Sequence, residues 1–578
     1  MADDFEVSAQ NAAALFTLKL HRGEGMTLLA MNWKVDRPPP DFVGFGIEYQ
    51  EPGGGAFHPV TNRLSFAAPD GSVSESATPS MQAPIQKFRW VHFPWHADLP
   101  GDYQYRVTPV FMDDHDVLSY GEPQQAPIQL LRETYPGQLN VSFTRGFVAS
   151  QAFVDRYSKD GPISGLLPDD ADQGLTFVPT HPDATEALEW MGFEAHRTIL
   201  DVLDGAIADT GAQVSVVAFD LNEPEIVDRL EHLGDRLRVV IDDSVNKDGA
   251  GHGDAGSPET AAAARLAASA GADHVKRQHL GSLQHNKMIV VDGPAGQYAV
   301  CGSTNYSWRG FFVQNNNAVV VQGASAIAPF ATAFEGYFAN PGNGTTAIGH
   351  SASASWTSLG LAGIDAQATF SPHSADNAVL QSIADDVGQH TTSNLLYSLA
   401  FLNQTKGPLR AAITDAVDGD ELFVYGISDT ALGGIALRTP DGNLAPVNPA
   451  ALTKDVPEPF KSEPTGGSGI RMHHKFVVID FDQPTARVYL GSFNFSKTAD
   501  TSNGENLLLV KDRRVAVAYM IEALRIFDHY HFRVKQNAVP AGGAPFALAR
   551  PPRQPGDTPW WSEDYDNRQK ARDRELFA

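Results

Sequence analysis

The chain has 578 residues, 42% of them hydrophobic and 19% charged, and a formal net charge of −26; that length calls for about three structural units rather than one core. No export signal is visible in the opening Met1-Ala-Asp-Asp-Phe5, and no run approaches the roughly 20 apolar residues that cross a bilayer. The single cysteine, Cys301, excludes an internal disulfide and a Cys-rich metal site and makes the cytoplasm the expected compartment, while the acidic balance works against long-range attraction of nucleic acid or anionic bilayers.

Up to residue 125 the chain reads as short strands, at 15–20, 26–33, 42–49, 87–93 and 103–111, separated by Gly, Pro and Asp clusters, the rhythm of a β-sandwich. The segment Tyr103-Gln-Tyr105-Arg-Val107 after Pro100-Gly101-Asp102 resembles the tyrosine-bearing late strand of fibronectin type III domains. That resemblance implies a fibronectin-like domain over residues 1–125.

From residue 126 the pattern alternates between strand and helix, and it does so twice. The first pass, 126–340, has expected strands at 175–178, 214–219, 236–241, 287–291, 298–302 and 318–321 and helices at 187–208, 223–233 and 327–338. The second, 356–539, has strands at 368–371, 394–402, 421–427, 475–479, 487–491 and 506–510 and helices at 379–387, 408–417 and 515–530. A Gly-, Thr- and Ser-rich linker is expected at 341–355 and an extended tail at 540–578, with the Trp560-Trp561 pair docking onto the protein's own surface. The fold class is therefore multidomain: an N-terminal β-sandwich, then two duplicated α/β units packed about a pseudo-twofold axis, which would direct matching residues to one point.

Two matching segments carry the chemistry. The first is His285-Asn-Lys287, running on to Asp292, then Gly302-Ser303-Thr-Asn305; the second is His473-His-Lys475, running on to Asp480, then Gly491-Ser492-Phe-Asn494. In each, His and Lys are two apart at the entry of an apolar strand and so address a common ligand. A phosphodiester resists attack because it is an anion; Lys287, Lys475, Asn305 and Asn494 supply cations and donors for its non-bridging oxygens, and Ser303 and Ser492 add hydroxyls. Two imidazoles can divide the roles of nucleophile and proton donor.

The pattern H-x-K-x4-D followed by G-S-x-N, present twice, resembles the signature of the phospholipase D superfamily. The resemblance implies a covalent phosphohistidine, with His285 as nucleophile and His473 as general acid and base, and no cofactor or metal. The sequence itself displays no ligand cluster that would demand a metal. By the same resemblance a downstream carboxylate or amide holds each imidazole: Glu505 in Asn503-Gly-Glu505-Asn506, and Asn316 at the matching point of the first half. Asp292 and Asp480 are expected as supports at strand ends, and His474, His196, His390 and the His529-Tyr530-His531 run as structural residues.

The loops 244–283 and 432–470 are expected to wall the cleft, the first with an Ala-rich helix opened by Ser257-Pro258-Glu259 and with His274, Lys276 and Arg277 available to a phosphate. Both motifs in one chain, with the acidic charge, favour a phospholipid headgroup substrate met by peripheral membrane contact, a monomer sufficing for catalysis. The alternative is a metal-independent endonuclease acting on nucleic acid, since the stretch from Gly491 to Asn506 resembles small bacterial endonucleases of the superfamily; a non-catalytic binding protein is the third reading.

Overall fold

The computed structural model describes residues 5–74, 76–130, 133–247, 249–340, 342–402, 406–419, 421–429, 435–438, 444–447, 473–537 and 547–578. Most of the expected wall at 432–470 and the Ala-Gly-Gly-Ala-Pro stretch at 541–545 lie outside the described residues. The chain divides into two compact units, one containing the N-terminal residues together with Val517–Ala578, the other the described residues between Glu133 and Ala516.

In the N-terminal unit one sheet orders Glu6–Ser8, Phe16–Gly23, Met26–Trp33 and Arg89–His92, and a second orders Leu118–Tyr120, Asp102–Met112, Phe42–Gln50 and His58–Pro59, with Gln124–Gln129 also on Asp102–Met112. The period-two pattern explains the pairing: Tyr103, Tyr105 and Val107 are buried while Gln104 and Arg106 between them are partly exposed. The buried side chains of both sheets, among them Phe16, Leu18, Phe45 and Ile47, form one core. The Tyr103 hydroxyl turns back on its own approach, accepting from Leu99 N and donating to His96 O.

Trp561 enters this same core and the Trp560 indole donates to Phe42 O at 3.0 Å. The tail is not extended throughout: it turns helical over Glu563–Asp566 and Arg568–Phe577. Asn567 accepts from the amides of Gln569 and Lys570 and so starts the last helix, a cap that the Pro- and Gly-rich composition upstream conceals.

The second unit contains two mixed sheets built in the same strand order. The first runs Leu139–Phe143, Asn317–Gln322, Gln297–Gly302, Met288–Asp292, Gln213–Ala218, Leu237–Ile241, Val275–Arg277. After the short edge Thr357–Ser358, the second runs Asp365–Ser371, Glu505–Lys511, Arg487–Gly491, Lys475–Ile479, Asn394–Leu399, Phe423–Asp429, then Ile435–Arg438 and Leu444–Val447. In each, the strand that the His-x-Lys segment leads into is antiparallel to both neighbours, and the next pair beyond it is parallel. Residues Lys475–Ile479 are buried without alternation, as a strand covered on both faces requires.

One expected strand is corrected. Residues 175–178 form no strand: a 3₁₀ turn spans Ala171–Thr176, Val178 is 75% exposed and so has no core face to fill, and the edge position belongs to Leu139–Phe143. Within the expected linker, a helical turn at Thr346–Gly349 and a 3₁₀ turn at Ala352–Ala354 bury Ile348 and Ala354. The helix expected after Ser257 is present, its cap hydroxyl accepting from Thr260 N at 3.1 Å. No described helix is long and apolar enough to cross a membrane.

Candidate active site

Each His-x-Lys segment leads into a central strand, Met288–Asp292 directly after Lys287 and Lys475–Ile479 beginning at Lys475 itself, and each Gly-Ser-x-Asn segment closes the antiparallel neighbour. Antiparallel pairing brings the start of one strand beside the end of the next, so residues about 17 apart in sequence share one sheet edge. Gly302 and Gly491 turn the chain there at φ of 132° and 143°. A Cβ at either would overlap the carbonyl of Asn317 or Asn506, so only glycine fits.

The four segments interlock across the two halves. His285 Nδ1 meets Glu505 Oε2 at 2.7 Å, although Glu505 belongs to the second half. His473 Nδ1, in return, meets Asn316 Oδ1 at 2.8 Å and Ser303 O at 3.1 Å, both from the first half. The two rings then lie 6.3 Å apart between centroids, at 66°. With each Nδ1 engaged, each ring has Nε2 left for a ligand.

The holders are themselves held. Ser492 Oγ donates to Glu505 Oε2 at 2.7 Å and Asn503 Nδ2 to Oε1 at 3.0 Å. Ser303 Oγ donates to Asn316 Oδ1 at 2.9 Å, and Asn316 Nδ2 to Gly310 O at 2.8 Å, which fixes the amide with its oxygen toward His473. Asn506 ties the segments together, donating to Asn286 Oδ1 at 2.7 Å and accepting from Gly302 N and Ser492 N. Lys287 and Lys475 each donate to the carbonyl of the histidine two residues back, at 2.5 and 2.6 Å.

Burial sets the charge state. It pushes the His285 imidazole below its usual value, and Lys287 adds to this while the Glu505 carboxylate opposes it. His473 goes well below, again by burial and then by Lys475, Lys287 and His285, against which the Ser303 carbonyl acts. Lys287 falls to about 8 because burial outweighs Glu505, Asp220 and Asp242.

Asn305 and Asn494 are placed as their segments require, and each has an amide oxygen buried without a hydrogen bond. Asn305 Nδ2 donates to Asp220 Oδ2 at 2.6 Å. Asp292 is exposed at the far end of its strand and accepts from Gln297, while Asp480 is buried and accepts from the amides of Thr392, Ser393 and Asn394. His474 is fully buried against the rings of Phe143 and Phe476. The basic residues before the first motif are committed elsewhere: Arg277 donates to Asp242 O and His252 O, Lys276 to Phe338 O, and His274 meets Leu237 O.

The sequence reading passed over Phe219, Asp220, Asp242 and His252. The Phe219 ring lies 4.4 Å from His252, 4.8 Å from His285 and 4.7 Å from Lys287 Nζ. His252 bridges Asp220 at 3.1 Å and Asp242 at 2.9 Å. Burial opposes its charged form, but the two carboxylates outweigh burial and raise it to about 10. Asp220, His252 and Glu259 lie close enough for a metal, yet an imidazole whose two nitrogens both donate to carboxylates has no lone pair for one. Phe219-Asp220 directly after an apolar strand was the available signal for half of this group; His252, in a glycine-rich loop, offered none.

Residues 203–338 and 455–527, less than half of the chain, match the family model described as "Cardiolipin synthase, PLD-like domain". A curated relative named "Phospholipase D" from Rickettsia prowazekii (strain Madrid E) is 42% identical over 48 residues, 8% of this chain, which spans 22% of that relative's length. The chain is also similar to the solved structure of phosphatidylserine synthase from Haemophilus influenzae Rd KW20, at 12% identity and a TM-score of 0.40, covering 57% of this chain and 84% of that one. Polyphosphate kinase from Porphyromonas gingivalis matches at 10% identity and a TM-score of 0.37, over 68% of this chain and 55% of its own.

Proposed function

We propose that the chain is a phosphodiester hydrolase of the phospholipase D type that removes the headgroup of a phospholipid through a covalent phosphohistidine. The observation that carries this reading is the crossed pairing: His285 on Glu505 and His473 on Asn316, with the two rings 6.3 Å apart.

His285 Nε2 attacks phosphorus, forming an N–P bond as the P–O bond to the leaving group breaks. The ring then bears positive charge with its Nδ1 proton still in place, and the Glu505 carboxylate stabilises it. His473, held by a neutral amide and depressed in pKa, is the stronger acid and donates its proton to the departing oxygen. It then takes a proton from water as that water breaks the N–P bond. Lys287 and Lys475 offset the charge on the non-bridging oxygens, with Asn305 and Asn494 beside them.

A lipid substrate is supported by the names of the matching family model and curated relative, and by the net charge of −26, which disfavours a polyanionic polymer. One chain supplies both imidazoles, so a monomer suffices. In the same reading the two α/β halves are related by a pseudo-twofold axis and the N-terminal sheets are a fibronectin type III-like sandwich, which the turned-back Tyr103 hydroxyl supports.

The test is a panel of micellar phospholipids, DNA, RNA and a chromogenic bis-phosphodiester, run in chelator with wild type, His285→Ala and His473→Ala. Headgroup release that disappears in both variants is expected. Cleavage of nucleic acid without lipid turnover overturns the substrate, and turnover that needs neither His285 nor His473 overturns the mechanism.

A further inference from the structure

We propose that His196, Glu223 and Glu225 form a binding site for a first-row divalent transition-metal ion, separate from the paired imidazoles. The three residues offer one imidazole nitrogen and two carboxylate oxygens, all within 4.8 Å of one another. They line a cavity of about 710 Å³ whose other walls include Trp308 and Phe312.

His196 is the informative member. Its side chain is buried, 3% exposed, and wedged between the rings of Phe311 and Phe312 at 4.7 and 5.2 Å. Its Nε2 makes no hydrogen bond, although Glu225 Oε2 lies 3.4 Å away. A buried polar nitrogen left without a partner is costly, and such exceptions in a folded chain call for a cause. An ion at that nitrogen supplies one.

Glu223 is the second buried member, its carboxylate accepting a backbone hydrogen bond from Glu225. It is 4% exposed, and among the described residues no Lys, Arg or His forms an ion pair with its carboxylate. Glu225, at the more exposed rim, has Arg229 at 3.9 Å, but that guanidinium is already paired with Asp204 at 2.8 and 3.1 Å.

The donor set narrows the ion. An imidazole with two carboxylates suits Zn²⁺ or Mn²⁺ better than Mg²⁺ or Ca²⁺, which take oxygen ligands alone. Bonds of roughly 2.0–2.2 Å place tetrahedral ligand atoms about 3.3–3.5 Å apart; His196 Nε2 and Glu225 Oε2 are already 3.4 Å apart, and no pair of the three exceeds 4.8 Å. Three protein ligands leave a coordination position open toward the cavity. The ion would also clamp helix Ala184–Ala208, which bears His196, to the start of helix Pro224–Leu233. The contrast with His252 is direct: both of its nitrogens are occupied by carboxylates, whereas His196 presents a free one.

The experiment uses the full chain, stripped by chelator and titrated with Co²⁺ alone, then displaced by Zn²⁺, reading visible d–d absorbance and calorimetric stoichiometry. One saturable equivalent is expected, with affinity falling roughly tenfold or more in each of His196→Gln, Glu223→Gln and Glu225→Gln. Glu225 is half exposed, so its variant reads binding even where the buried substitutions fail to fold. No saturable binding, binding unchanged in Glu225→Gln, or binding abolished by His252→Gln or His473→Ala overturns the proposal. Because the readout is metal rather than turnover, the result is independent of the phosphodiesterase reading.

Discussion

Glu505 and Asn316 occupy matching positions of the two halves, each at the start of the strand beyond its Gly-Ser-x-Asn turn, each accepting from the turn's serine, and each reaching across to the other half's imidazole. The frame is the same and the charge is not. A carboxylate behind one ring favours a state in which that ring carries positive charge; an amide behind the other lets it lose its proton readily. Two sheets of the same strand order thereby hold two imidazoles against holders that differ in charge.

The largest effect that probes this difference is removal of the rings themselves. With an activated aryl phosphodiester, which needs no acid to depart, His285→Asn is expected to abolish turnover and leave no phosphorylated protein. His473→Asn is expected to lose roughly 10³–10⁴ in steady-state rate while accumulating an acid-labile phosphohistidine, seen by mass spectrometry or ³²P labelling. Label accumulating in His285→Asn instead would exchange the two roles.

Next in size are the holders. Glu505→Gln keeps a hydrogen-bond acceptor but withdraws the charge, and a loss of about 10²–10⁴ in kcat is expected, with KM moving little. Asn316→Asp runs the other way, and its effect on rate at the optimum should stay within about tenfold. Its signature is in pH. The wild-type profile of kcat/KM should be bell-shaped with an optimum on the acid side of 6.5, because His473 must be protonated to act and its pKa is depressed. Placing a carboxylate on His473 raises that pKa, so the alkaline limb should move to higher pH in Asn316→Asp. An unmoved limb would show that a different group controls it.

How much of this could be read from residues alone follows from the range of each interaction. The strands that carry the motifs are continuous apolar runs such as Phe476–Ile479 bounded by turn residues, a local signal, and they appear where they were expected. Strand Leu139–Phe143 was missed because Leu-Asn-Val-Ser-Phe is too short and polar to stand out, and only its pairing with Asn317–Gln322 buries it. Spacing singles out His285, Lys287, His473 and Lys475 as a candidate set, and downstream position singles out Glu505 and Asn316 as candidate holders. The exchange of holders between halves was invisible, since it depends on contacts 220 and 157 residues apart. His252 and the His196, Glu223 and Glu225 group are long-range assemblies of the same kind.

The smallest expected effect concerns stability and tests where the halves are alike rather than different. Gly302 and Gly491 share a positive φ, and at each an added methyl group would press on the backbone carbonyl and the side-chain oxygen of the residue that anchors the turn, Asn317 or Asn506. Gly302→Ala and Gly491→Ala should therefore each lower unfolding free energy by roughly 1–3 kcal/mol, and by similar amounts. Denaturant midpoints measured with unchanged slopes provide the comparison. Equal penalties would place the asymmetry in the charge of the holders alone. A large penalty at one glycine and none at the other would mean that the two turns carry different strain, and then the contrast between Glu505 and Asn316 could not be attributed to charge without first correcting for geometry.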